Sequence, residues 1–208
     1  MEDVLDVYER PEAPRRPLIC MDESPKQLIG EVQAPLPAEP GQPERFETEY
    51  VRNGTCNLFM FTAPLEGWRR VDVTERRTAV DWAHQIKRLV DEDFPDAEKI
   101  VLVMDNLNTH RPASLYEAFE PLEAKRIWDR LEIHHTPKHG SWLNMAEIEL
   151  SVLNKQGLSE RVPDMESMRR EVAAWSQRRT AEGGKIDWRF TTKDARIKLK
   201  RLYPRLQH

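Results

Sequence analysis

The chain has 208 residues, 39% hydrophobic and 33% charged, with a formal net charge of −4 at pH 7. That suffices for one sizeable α/β domain with a well-solvated surface. It contains no apolar run long enough to span a membrane, and its acidic start, MEDVLDVYER, is unlike a secretory signal. Cys20 and Cys56 sit in apolar stretches without zinc-site spacing, which reads as reduced core thiols of a cytosolic protein.

The net charge hides an asymmetry. From Lys185 to His208, eight Lys/Arg face two Asp, a net of +6 that leaves about −10 for residues 1–184. A basic tail on an acidic body is either a strap for phosphates or simply a solvated helix.

Residues 1–15 read as an N-terminal linker, followed by RPLICMDE, a short apolar run ending in acids that suits a buried strand. The Pro/Gly-rich stretch Pro35–Pro43 is a loop. RFETEYVRNGTCNLFMFTA is extended, with Asn53-Gly54 as a turn signal, and WRRVDVTE is a further strand. These three strands are expected to form a consecutive antiparallel set. Thr78–Val90 then switches to helical period, with Ala79, Trp82, Ala83, Ile86, Leu89 and Val90 on one side. KIVLVM, residues 99–104, is the strongest strand in the chain. Helix is expected from Pro112 to about Arg130 with a break at Pro121, then a strand at LEIHHT, then a helix from Ser141 that Gly157 closes. Met165–Thr180 and Thr191–Leu202 are two more helices. The order predicts one α/β domain over residues 16–184, a mixed sheet of three antiparallel and then parallel strands with helices on both faces. Residues 185–208 follow as a basic helical tail packed on it.

Two strands end on an acid: Asp22 after LICM and Asp105 after IVLVM. Side chains there face the crevice where α/β sheets bind ligands, and paired carboxylates are what Mg²⁺ requires. A third acid is expected on the helix after Ser141. On a helical wheel Glu147 falls between Leu143 and Leu150 on the apolar side, where a carboxylate is costly unless compensated. Glu149, near the other edge of that stripe, is the second candidate.

Taken together, ICMDE around Asp22, LVMDNLNTH around Asp105 and TPKHGSWLNMAEIE around Glu147 resemble bacterial insertion-sequence transposases of the mariner-like superfamily. The resemblance spans roughly Arg16 to Tyr203. It implies a catalytic domain of RNase H-like fold whose three carboxylates form a DDE triad. The family's third acid stands three residues after the Asn of a Leu-Asn pair. Leu143-Asn144 therefore selects Glu147 over Glu149. The 41 residues between Asp105 and Glu147 exceed the spacing of many relatives, and the helical segment Pro121–Arg130 is expected to hold the excess.

The resemblance further implies phosphoryl transfer between DNA strands. Two Mg²⁺ or Mn²⁺ ions are implied, Asp22 bridging both, Asp105 holding one and Glu147 the other. Implied partners are transposon-end and target DNA, a second copy of the chain in the active complex, and a helix-turn-helix module or partner chain that reads the ends, all in the bacterial cytoplasm. Asn106 and His110 match family positions that support the site or contact DNA. Lys138, His139, Ser141 and Trp142 stand just ahead of the helix where a phosphate can approach its N-terminus, Trp142 being otherwise a core aromatic. Arg196 and Lys200, with Arg189, Lys193 and Arg201, are expected to place positive charge on one helical face toward DNA backbone. The alternatives are a stand-alone nuclease of the same fold and a domesticated DNA-binding or assembly protein without catalysis.

Overall fold

The structure, a computed structural model, describes residues 1–32, 40–42 and 49–203. Most of the expected loop at Pro35–Pro43 and the start of the extended segment after it lie outside these residues. Five strands form one sheet: β1 (Leu18–Glu31), β2 (Tyr50–Ala63), β3 (Trp68–Thr74), β4 (Ile100–Met104) and β5 (Leu131–His135), in the order β3-β2-β1-β4-β5. β1 to β3 pair antiparallel, while β4 joins β1 and β5 joins β4 in parallel, the mixed sheet that the element order predicts. Helices α2 (Ala79–Arg88), α3 (Pro112–Ala118) and α4 (Pro121–Trp128) share one apolar cluster with Ile19, Met21, Leu102 and Met104. Helices α1 (Glu2–Tyr8), α5 (Met145–Gln156), α6 (Met165–Ala181) and α7 (Thr192–Lys198) share the opposite cluster with Cys20, Val101 and Val103. Strand alternation thus sends neighbouring residues to opposite layers. β4 lies between two strands and two helical layers, so all five residues are buried, which explains its unbroken apolar sequence.

β1 is much longer than the expected short run. It continues past Asp22 through Pro25, because β4 ends at Met104 and leaves that edge of β1 without a ladder for Pro25 to interrupt. The Asn53-Gly54 pair does not turn the chain. The register passes from Gln27↔Thr55 to Ile29↔Arg52, so β2 carries one extra residue, and Gly54 takes φ 99° to absorb it. Asn53 Nδ2 uses the bulge to donate to the Pro163 carbonyl at 2.8 Å.

The segment read as a linker begins with a helix. Val4 and Leu5 of α1 are fully buried and Val7 and Tyr8 nearly so; the apolar spacing 4, 5, 8 is the signal that points to it. Polar ties complete the docking: Asp3 Oδ2 lies 2.8 Å from His134 Nδ1, and Asp6 accepts from the Thr192 hydroxyl at 2.7 Å. Just beyond α1, Arg10 and Arg16 both engage Glu132 on β5, Arg10 at 2.6 Å. The Arg10 contact, helped by His134 and Arg16, holds the Glu132 carboxyl down at about 2 against the opposing effect of burial. A depressed carboxylate stabilises the fold above its unfolded value and loses that contribution as pH falls through the folded one. Because both arginines are well exposed, solvent screening limits the clasp to about 1 kcal/mol. Glu132→Gln should therefore lower the melting temperature by a few degrees at pH 7, and the deficit should vanish as pH falls from about 4.5 to 2. A deficit that persists at pH 2 would show packing rather than charge at work.

Candidate active site

Asp22 and Asp105 are brought together by register alone. Cys20 pairs with Val103 across the parallel β1–β4 ladder, and two more residues along each chain set Asp22 level with Asp105. Both lie in alternation with Cys20 and Val103, on the sheet face covered by α5. The third acid arrives on that helix. Asn144 is its N-cap: the side-chain oxygen accepts from Ala146 N–H at 3.1 Å, while Nδ2 donates to the Met21 carbonyl at 2.8 Å. One buried amide therefore caps α5 and fastens its first turn, with Glu147 in it, to the residue before Asp22. The Tyr8 hydroxyl donates to the Leu143 carbonyl at 2.6 Å, so α1 braces the same turn from outside.

Electrostatics mark the place. Burial, reinforced by Asp105, Glu147 and Glu23 nearby, pushes the Asp22 carboxyl up to about 7 despite a 2.7 Å hydrogen bond from Glu23 N–H. Behind the sheet, His110 is 1% exposed and stacks on Trp82 with ring centroids 5.5 Å apart. Its Nε2 lies 2.9 Å from Glu23 Oε1, and its Nδ1 2.7 Å from Asp105 Oδ1. Burial opposes its charge, but the two carboxylates outweigh that and raise it to about 9. The two carboxylates thus favour the charged form of His110, which stands against Asp105, and its burial favours the supporting reading over contact with DNA. His135 Nδ1, 3.2 Å from the Asp105 carbonyl, adds to this frame. Glu23 has no signal beyond its place next to Asp22.

The two candidates on α5 separate by environment. Glu149, not Glu147, is the acid buried in the apolar stripe: its side chain is 0% exposed, with Arg69 Nε at 3.1 Å and Arg179 Nη2 at 2.9 Å. Glu147 is half-buried. The wheel reverses the two because it cannot register two arginines arriving from β3 and α6 to compensate Glu149.

Among the described residues, no three His, Cys, Asp or Glu side chains stand close enough together to hold a metal ion. Asp105 Oδ1 is turned to His110 and Asp22 accepts from Glu23 N–H. The donor set still fits a hard divalent cation: it offers carboxylate oxygens and no thiol. Such a charge would offset both the burial that chiefly raises Asp22 and the repulsion of its acidic neighbours.

The remaining candidates scatter. Asn106, Lys138 and His139 are exposed near the site. A turn closed by Gly140 N–H to the Pro137 carbonyl at 2.8 Å holds His139 at φ 67° and leads into α5. Trp142 is 42% exposed in the short turn before that helix, edge-on to Phe190, rather than a core aromatic. Arg196 does not project freely: both its Nε and Nη2 donate to Glu2 at 2.8 Å. Arg189 likewise pairs with Asp187. With the α-helix ending at Lys198, the expected continuous basic face is broken, and α7 packs on α1, while Lys193, Lys200 and Arg201 stay exposed.

Comparison with known families matches residues 17–169 to the DDE superfamily endonuclease model. The chain belongs to the DDE endonuclease superfamily. Its fold is that of the Mos1 mariner transposase. The Mos1 mariner paired end complex with Mn aligns at TM-score 0.51 and 16% identity, the Mos1 strand transfer complex at 0.53 and 15%, and a pre-cleavage Mos1 transpososome at 0.56 and 13%. Each alignment covers 89% of this chain and 60% of the Mos1 chain, so this DDE domain spans about three fifths of those proteins. No curated protein matches its sequence significantly. No helix among the described residues is long and apolar enough to cross a membrane.

The double role of Asn144, cap of α5 and tie to Met21, is expected to carry both stability and activity. Asn144→Ala removes a cap worth about 1 kcal/mol and strands the Met21 carbonyl, for a total of about 2 kcal/mol. Asn144→Asp keeps the cap and loses the donor to Met21. If α5 is positioned by this tie, the Asp variant should recover much of the thermal stability but little of any metal-dependent cleavage. Equal recovery of both would make Asn144 a cap only.

Proposed function

We propose that this DDE domain is the catalytic part of a transposase that cuts DNA strands and joins them to a target, with Asp22, Asp105 and Glu147 as its metal-binding carboxylates. The observation carrying this is the parallel register of β1 and β4, which sets Asp22 level with Asp105 just past the end of β4, beside a helix whose cap is fastened next to Asp22. When bound there, divalent ions, Mg²⁺ or Mn²⁺ and two per site in this reading, would activate an attacking water or 3′-hydroxyl and neutralise the leaving oxygen. The chain's own part is to hold three oxygens in place. β1 and β4 fix two by backbone pairing, and His110 keeps Asp105 from rotating. Asn144 and Tyr8 set the helix that carries Glu147.

The Mos1 paired-end and strand-transfer complexes support transposon-end DNA as the substrate; target DNA and a second copy of the chain are part of the reading of the sequence motifs. An insertion-sequence element in a bacterial cytoplasm remains the reading of the sequence motifs. The test is incubation of the protein with supercoiled plasmid and with duplexes carrying the element's ends, in Mg²⁺, Mn²⁺ or EDTA. Nicking in either metal and joining of a free 3′ end are expected. Cleavage that persists in EDTA, or none in either metal, would sink the proposal.

A further inference from the structure

Past Asp22, β1 carries Ser24 and Lys26 on the same face. Their antiparallel partners Met60, Leu58 and Cys56 all belong to the cluster beneath α5, and the register is unbroken from Cys20 to Gln27. Four residues of strand place Lys26 about 13 Å beyond Asp22. α5 starts beside β1 at the Asn144–Met21 bond, and the segment that follows it returns to β1 where Ile29 N–H donates to the Val162 carbonyl at 2.8 Å. The carboxylates and Lys26 thus lie along one course of the molecule, on the stretch of β1 whose far edge is unpaired after β4 ends.

Lys26 is half-buried and Arg169, in the first turns of α6, is exposed; both act electrostatically on the Cys56 thiol, the register partner of Lys26. Neither forms an ion pair among the described residues, whereas Arg69, Arg70, Arg126, Arg179 and Arg196 all hold carboxylates. Burial lowers the Lys26 ammonium, offset only by Cys56. A partly desolvated ammonium with no carboxylate among the described residues is a site for an external anion.

We propose that Lys26 and Arg169 grip backbone phosphate of the DNA strand within about four nucleotides of the scissile bond, at 3.4 Å of rise per nucleotide. The inference rests on the reading of this domain as a DNA-cleaving enzyme. The grip lies far enough from Asp22 to leave the metal ligands uncompensated. Near enough to fix the strand's path, it reads no bases.

The test measures binding of a fluorescent duplex from 50 to 200 mM KCl in EDTA, with nicking in Mn²⁺ assayed separately. Lys26→Gln with Arg169→Gln should make the log–log salt slope shallower by about 1.8, at about 0.9 per phosphate contact. Arg169→Gln alone, a change at an exposed side chain, should account for about half of that. Lys26→Arg should restore the slope, and Lys99→Gln, at the opposite end of β4, should leave it unchanged. An unchanged slope in Arg169→Gln and in the double variant, or an equal change in Lys99→Gln, overturns the grip while wild-type nicking keeps the functional reading intact. A wild type that binds duplex but never nicks it overturns the functional reading instead.

Discussion

Asp22→Asn and Glu147→Gln are each expected to leave a folded protein whose metal-dependent DNA cleavage falls by about 10³-fold or more. A metal-binding carboxylate supports several kcal/mol of transition-state charge stabilisation, and each 1.36 kcal/mol is a factor of ten in rate. Folding should survive both changes. Asp22 is held up at about 7 by burial and by its acidic neighbours, so its charge is no asset to the metal-free fold, and Glu147 is half-buried with no ion pair among the described residues. The check is plasmid nicking in Mn²⁺ beside a thermal melt of each variant. Full activity in Glu147→Gln would remove Glu147 from the site.

Glu149→Ala should do the opposite, damaging the fold first. Arg69 and Glu149 have side chains that are 0% exposed, and Arg179 closes the group at 2.9 Å. Arg69 also donates to the Gly184 carbonyl at 2.5 Å, so the group joins β3, α5 and the end of α6. Removing the acid leaves a buried guanidinium unmatched, at a cost of about 3–5 kcal/mol. Replacing both fully buried partners with apolar residues, Arg69→Met with Glu149→Leu, should cost much less than Glu149→Ala, since the buried guanidinium leaves with the acid and only the partly exposed Arg179 loses its carboxylate. Urea denaturation of the three proteins decides it: equal losses in single and double variants would show that the ion group is worth its full Coulomb attraction.

The two substitutions on α5 therefore form a matched pair. One should remove activity from a stable protein, the other stability from a protein whose site is complete. Neighbouring acids can differ so in environment because two residues of helix turn a side chain through about 200°, which leaves Glu147 half-buried and Glu149 enclosed by Arg69 and Arg179.

Much of this was legible in the residues themselves. The period-2 and period-3.6 patterns carried the sheet and most helices, since both report which side chains face a core. Asp22 and Asp105 stand out as candidates because each follows an unmistakable apolar run, and Glu147 through its place after Leu143-Asn144 in a motif resembling a known family. What depended on tertiary structure was partnership. The length of β1 follows from where β4 stops, and the bulge at Gly54 from what β1 does opposite it. The N-terminal helix holds because its Val4, Leu5 and Tyr8 meet a core assembled from residues far along the chain. Glu149 is structural only because Arg69 and Arg179 converge on it from 80 and 30 residues away, and His110 is a support only because Glu23 is folded beneath it from 87 residues away. Periodicity tells a residue which side it faces; the partner waiting on that side, and hence whether a charge is a ligand, a strut or a free grip, is decided by chain segments that no local pattern contains.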